Sequence, residues 1–156
     1  MKKIHVVILA YVLLVMIALP CYSQNKDEDL AGIYKNYFKL LINNDFNGAW
    51  DVLADESKVV LSEVIAKEAE ATPDEVLTLL KRNENGLRDR YFGAFRESMG
   101  ELLNEIYGQG TYKLKSKKGN HATVTIEVQQ DPKDFTMIKQ DGKWKVNFFK
   151  DLMEVR

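Results

Sequence analysis

From Leu30 onward the spacing of apolar residues changes once, at Gly110, and that change restricts the available folds more than any other feature. Before Gly110, apolar residues recur every three or four positions, which is the spacing of one face of an α-helix. After Gly110 they alternate with polar residues, which is typical of strands with one buried face. We therefore predict an α+β fold, with N-terminal helices packed on a C-terminal curved antiparallel sheet.

Polar and glycine-containing breaks divide the helical part into successive segments. The first helix is expected from Leu30, and a short second helix follows the break at residues 43–45. The clearest start signal is TPDE at residues 72–75, which combines a capping box with proline in the first turn. A longer helix is predicted from Leu87 to about Tyr107, just before two closely spaced glycines.

The alternating part predicts four strands, near residues 111–115, 121–128, 135–140 and 144–148. Asp131 and Pro132 indicate a longer connection before the third strand. Asp141 and Gly142 indicate a tight hairpin before the fourth. Phe148 is expected to point inward on that last strand, together with Trp144 and Val146.

The N-terminus has the three parts of a secretory signal peptide. A positive start at residues 1–3, an apolar run at residues 6–19 and a short polar end up to Ser23 follow in that order. The apolar run is shorter than the ~20 residues that a membrane-spanning helix needs. We predict cleavage after Ser23 and export to the periplasm or the cell exterior, with residues 1–23 as signal peptide and 24–156 as a single domain.

Cys21 offers an alternative, a lipid anchor on its thiol that would hold the domain at a membrane. Pro20, directly before it, departs from the usual lipoprotein pattern. If Cys21 is removed with the signal, the exported chain has no cysteine for disulfide or thiol chemistry. An uncleaved apolar anchor is the remaining alternative.

Composition and missing motifs exclude several classes of function. The chain has 22 Lys and Arg against 23 Asp and Glu, a net charge of −1, which argues against a nucleic-acid partner. It has no phosphate-binding glycine loop, no zinc-protease motif, no nucleophile elbow and no EF-hand. With one histidine after the leader, we predict neither a metal site nor a cofactor.

Three groups of charged residues are candidates for function. His121, at the start of a strand, is a candidate general base, although a solvent-facing strand histidine is commoner. Two carboxylate series at helical spacing fit solvated helix faces better than catalytic pairs: Glu63, Glu68 and Glu70, and Glu97, Glu101 and Glu105. A lysine cluster either meets an anionic surface or keeps an edge strand soluble: Lys113, Lys115, Lys117 and Lys118.

Large apolar side chains from both parts of the chain are expected to meet. They would form either a solid core or the wall of a site for a small apolar ligand. The candidates for such a pocket are Tyr37, Trp50, Phe95, Met99, Trp144 and Phe148.

Three segments resemble small exported domains of the nuclear transport factor two superfamily. They are YKNYFKLLINNDFNGAWDVLADESK at residues 34–58, ATVTIEV at 122–128 and MIKQDGKWKVN at 137–147. The resemblance points to bacterial domains of the lumazine-binding-like, polyketide cyclase-like or DUF4878-like type, and implies a cone-like, cystatin-like roll around a cavity. Residues 59–106 depart from that pattern because they are helical where an early strand is usual, which we interpret as a helical cap.

These observations predict an exported cell-envelope domain that binds a small apolar ligand or a protein partner without catalysis. One alternative is an isomerase- or cyclase-type enzyme that uses His121 or a carboxylate in the cavity. Another is a structural interaction module that uses the sheet face or the lysine hairpin. No nucleic-acid partner is expected, and contact with a membrane is expected only if Cys21 is lipidated.

Overall fold

The computed structural model describes residues 29–154, so the predicted leader, Cys21 and residues 24–28 lie outside the described part. It has the predicted α+β layout, with helices packed on a curved antiparallel sheet. The elements are α1 (Leu30–Ile42), α2 (Phe46–Val52), α3 (Asp55–Ala69), α4 (Pro73–Arg82), a 3₁₀ turn (Glu84–Gly86), α5 (Leu87–Gln109), β1 (Thr111–Lys118), β2 (His121–Val128), β3 (Asp131–Gln140), β4 (Lys143–Val146) and α6 (Phe148–Glu154).

Polar side chains start the early helices. The Asp29 carboxylate accepts a hydrogen bond from the Gly32 N–H at 2.8 Å and begins α1. Thr72 and Glu75 form the predicted capping box at the start of α4. The apolar stripe of α1 is buried against the rest of the molecule: Leu30, Tyr34, Tyr37, Phe38 and Leu41.

The sheet is a meander in which each strand pairs antiparallel with the next along the chain. β3 starts earlier than the sequence suggested, because Asp131 already pairs with Val128 and the turn is confined to residues 129–130. The longer connection predicted at Asp131 and Pro132 is therefore wrong. Proline is tolerated here because β4 pairs only with Met137–Gln140, so this part of β3 is a sheet edge.

The chain turns into a helix where the fourth strand was expected to continue. Phe148 lies at the start of α6, so its placement on β4 is a second error of the sequence prediction. The Ser57 hydroxyl, from α3, accepts hydrogen bonds from the N–H groups of Phe149 at 2.9 Å and Lys150 at 3.3 Å. A helix start stabilised by a residue more than ninety positions away leaves no local signal.

The helix-facing side of the sheet, here called the inner face, carries the alternating apolar residues, among them Ala122, Val124, Ile126, Met137 and Val146. Phe148 packs against this face at the centre of the molecule. Its ring lies within 6.0 Å of five other aromatic rings, measured between centroids: those of Tyr37, Phe38, Phe95, Phe135 and Phe149. Phe148 is therefore the centre of an aromatic cluster within the core. Across residues 29–154, each helix is too short or too polar to cross a bilayer.

Candidate functional site

A cavity of about 360 Å³ lies at the end of the inner face where β2 turns into β3, and it is partly open to solvent. The second half of α5 forms one wall, the strands form another and α6 a third. Its lining residues are Phe38, Met99, Leu102, Glu105, Ile106, Ile126, Val128, Gln129, Asp131, Lys133, Phe135, Phe148 and Leu152.

Three phenylalanines from different elements form the aromatic part of the lining. Phe148 meets Phe38 edge to face, with 5.5 Å between ring centroids, and stacks on Phe135 at 6.0 Å. These rings come from α6, α1 and β3, so the lining forms only when all three elements have packed. Aromatic rings held in this way offer a stable apolar surface to a ligand.

A break within α5 shapes the helical wall. Gly100 has φ 44° and ψ −118°, a conformation that side chains other than glycine adopt only with strain. Met99 and Leu102 flank the break and both line the cavity, whereas Leu103 is buried with 1 % exposure. The break therefore sets how the second half of α5 faces the cavity.

Both apolar and polar residues line the mouth. Leu102 and Leu152 are 45 % and 38 % exposed although they line an apolar cavity. The polar lining residues pair with one another, since Gln129 donates to Glu105 at 3.2 Å and the Lys133 ammonium lies 3.3 Å from the Asp131 carboxylate. The mouth thus combines exposed apolar surface with polar groups that already have partners.

A buried carboxylate lies near the cavity but does not line it. Asp151 accepts hydrogen bonds from the N–H and the hydroxyl of Thr136, each at 2.7 Å, and lies 3.5 Å from the Tyr34 hydroxyl. Burial raises the pKa of Tyr34 well above its ordinary value, and the Asp151 charge raises it further. Asp151 binds the β3 edge just beyond the end of β4, which indicates a structural role.

Tyr37 is buried in the core against Phe148. Its ring lies 5.2 Å from that of Phe148, and its hydroxyl has no hydrogen-bond partner among the described residues. Burial raises the pKa of the Tyr37 phenol well above its ordinary value. Tyr37 therefore contacts a residue of the cavity wall without lining the cavity itself.

The six predicted pocket residues are divided among three places. Met99 and Phe148 line the cavity. Tyr37 and Phe95 contact Phe148 from the core, with centroid distances of 5.2 Å and 5.9 Å. The two tryptophans lie elsewhere under basic side chains: Trp50 beneath Lys58 and Arg88, and Trp144 beneath Lys117 and Lys139.

The charged candidates lie outside the cavity, with one exception. His121 is exposed at the start of β2, opposite Lys118 and Ile138 on its neighbouring strands. Glu105 is the member of the carboxylate series that reaches the cavity mouth. Of the lysine cluster, Lys115 pairs with Asp134.

Sequence reasoning missed several lining residues for which a signal existed. Ile126 and Val128 share a face by strand alternation, and Leu102 and Ile106 share one by helical spacing. Phe38 lies on the apolar stripe of α1, so helical spacing could have identified it as well. Leu152 had no signal, because α6 itself was not expected.

The described residues contain no grouping of His, Cys, Asp and Glu side chains close enough to hold a metal ion. Comparison with protein-family models, with curated proteins and with solved structures finds no match to this chain. The geometry of the cavity is therefore the feature that indicates a function.

Proposed function

We propose that this chain is an exported domain of the cell envelope that binds a small apolar ligand without catalysing a reaction on it. The observation that carries the proposal is the cavity of about 360 Å³ at the open end of the inner face. Its volume falls within the ~300–1,000 Å³ range of small-molecule sites, and its walls are largely apolar.

The exposed leucines of the mouth support an apolar ligand. Leu102 and Leu152 each leave more than a third of their surface in water. Exposed apolar surface beside a concave apolar wall is typical of a binding site. A ligand that covers this surface releases the water molecules that the surface had ordered. Met99 adds a flexible, polarizable side chain that adapts to ligands of different shape.

The polar groups of the mouth support binding without catalysis. Glu105 and Asp131 line the mouth, yet each already has a partner, Gln129 and Lys133 respectively. The Asp131–Lys133 pair is also largely exposed, at 71 % and 55 % of the side-chain surface, so water screens its charges. A general acid or base is usually tuned by burial, which this arrangement does not provide.

The proposal includes a family and a location. The order of elements, helices followed by an antiparallel meander with a cavity between them, supports membership of the nuclear transport factor two superfamily. The leader sequence at residues 1–23 supports export to the periplasm or the cell exterior. The helical cap expected from residues 59–106 corresponds in this proposal to α5, whose second half forms a wall of the cavity.

The test is a titration with N-phenyl-1-naphthylamine, a neutral apolar dye whose fluorescence rises on leaving water. The protein carries either Leu102→Glu, which adds a charge at the mouth, or Leu114→Glu as the matched control. The two leucines are 45 % and 48 % exposed, but Leu114 does not line the cavity. We expect Leu102→Glu to weaken dye binding about tenfold or more, because a carboxylate beside an apolar ligand loses hydration.

The control defines what counts against the proposal. Leu114→Glu should change dye affinity by less than about twofold, since surface substitutions remote from a site have small effects. Circular dichroism and a thermal melt establish that both variants fold. Equal weakening by the two variants, or the absence of saturable binding to the unmodified protein, contradicts the cavity as the ligand site.

A further inference from the structure

Lysines are concentrated at the end of the sheet opposite the cavity mouth. The β1–β2 and β3–β4 turns lie side by side there, and the Lys139 N–H donates to the Asn120 carbonyl oxygen at 2.8 Å. Within residues 117–121 and 139–143, Asp141 is the one acidic residue. We call these two turn segments, residues 117–121 and 139–143, the lysine end. Its exposed lysines are Lys117, Lys118 and Lys143.

A tryptophan beneath the lysine end brings two of its cations together. The ammonium groups of Lys117 and Lys139 each lie 5.8 Å from the centre of the Trp144 ring. Trp144 is only 5 % exposed, so the ring is a fixed platform for both.

Asp55, an acidic residue outside the two turns, has another partner. Asp55 reaches this region through Gln140, whose side-chain oxygen accepts from the Asp55 N–H at 3.1 Å. The Asp55 carboxylate lies 3.5 Å from the Lys58 ammonium. Residues 117–121 and 139–143 together hold four lysines against one aspartate, so these two turns are net positive in sequence although the chain as a whole carries a net charge of −1.

We infer that the lysine end docks on a bilayer that contains anionic phospholipids. Its cations project from two adjacent turns along one end of the sheet, an arrangement that fits an extended negative surface. The leader proposed at residues 1–23 brings the chain to a membrane, which favours a bilayer over a nucleic acid or another soluble polyanion. Docking would place the cavity mouth roughly 23 Å from the lipid, the length of β2, on the side facing away.

This surface is tested by sedimentation with vesicles, using protein expressed from the full sequence. Vesicles of phosphatidylcholine are compared with vesicles that also contain phosphatidylglycerol. The patch variant carries Lys117→Gln, Lys118→Gln and Lys143→Gln. The matched control carries Lys39→Gln, Lys67→Gln and Lys81→Gln, which removes the same charge from exposed helical lysines.

We expect the unmodified protein and the control to bind the phosphatidylglycerol vesicles more tightly than phosphatidylcholine alone, and added NaCl to weaken that binding. The patch variant should lose affinity by about fivefold for each lysine, roughly 100-fold in total. Any insertion of the leader is common to all three proteins and appears on both kinds of vesicle. Equal losses in the two variants, or no preference for phosphatidylglycerol, would overturn the proposal.

A footprinting measurement on the unmodified protein covers the case in which the patch variant fails to fold. Acetylation of lysines, read by mass spectrometry, should slow at Lys117, Lys118 and Lys143 when phosphatidylglycerol vesicles are added. It should not slow at Lys39, Lys67 and Lys81. Uniform protection overturns the assignment, as does binding to DNA or polyphosphate in solution without binding to vesicles.

Discussion

The two ends of the inner face differ in how completely they are covered. At the closed end, beneath the lysine end, Ala122, Met137 and Val146 are at most 4 % exposed. At the open end, Val128 and Phe135 are only half-buried and line the cavity. Both ends have the same alternation of apolar and polar residues, so the strand pattern does not decide which end holds a cavity.

The difference comes from the segments that cover each end. At the closed end the chain after α2 is bonded to β4, since the Ala54 N–H donates to the Val146 carbonyl oxygen at 2.9 Å and Leu53 bridges to Val146. At the open end the cover is the second half of α5, beyond the break at Gly100, together with α6. Backbone bonding seals one end, whereas two helix segments leave the other partly open.

The largest expected effect is at the boundary between the two ends. Phe148→Ala should lower the free energy of unfolding by about 3–5 kcal/mol, because a 2 % exposed ring that contacts both the core and the cavity wall is removed. Urea denaturation followed by circular dichroism measures the loss. Phe46→Ala removes a half-buried ring and should cost less. Equal losses would show that Phe148 does not join the two ends.

The break in α5 provides a second way to separate the ends. Gly100→Ala should destabilise the protein by about 1–3 kcal/mol, since alanine is strained at φ 44° and ψ −118°. Gly108 is the matched control within the same helix. A Cβ added there would meet open space, and its φ is not positive. Gly108→Ala should be neutral or stabilising by about 0.5–1 kcal/mol.

Urea denaturation of both glycine variants shows whether the break at Gly100 affects stability. Dye affinity should also change in Gly100→Ala, because Met99 and Leu102 flank the break, and should stay unchanged in Gly108→Ala. If the two variants have the same stability and the same dye affinity, the break at Gly100 does not shape the open end.

The smallest expected change in stability concerns Tyr37, which packs against Phe148 in the core. Its buried hydroxyl has no partner among the described residues, so Tyr37→Phe should raise the free energy of unfolding by about 1 kcal/mol at neutral pH. Burial raises the pKa of Tyr37 in the folded state. Between the ordinary pKa of about 10 and the raised pKa of the folded state, the phenol ionises only in the unfolded chain. The free energy of unfolding is therefore unaffected by this group below about pH 10 and falls as pH rises above it.

Denaturation curves between neutral and strongly alkaline pH measure this linkage. Tyr37→Phe should lose less stability than the unmodified protein as pH rises above about 10, because one phenol that ionises only on unfolding is gone. A Tyr37→Phe protein that is less stable at neutral pH would reveal a bonding partner for the hydroxyl.

Local signals predicted most of the fold because they depend on neighbouring residues. The α1 stripe, the capping box at Thr72 and the alternation in β2 each follow from helix or strand geometry. The start of β3 was predicted late because Pro132 resembles a loop residue unless the sheet edge beside it is known. Within the site, Met99 and Phe148 were predicted, while Ile126 and Ile106 carried the same periodic signal and were overlooked.

Which residues face inward and where helices give way to strands could be derived from the order of residues, because both follow from periods of 3.6 and 2 residues. Tertiary structure alone decided that Phe148 begins a helix, since the cap comes from Ser57 in α3. It also decided that Trp50 and Trp144 lie under cations while Phe38 and Leu152 line the cavity. A cavity is volume left between elements, and its position depends on how they pack and not on the pattern within any one of them.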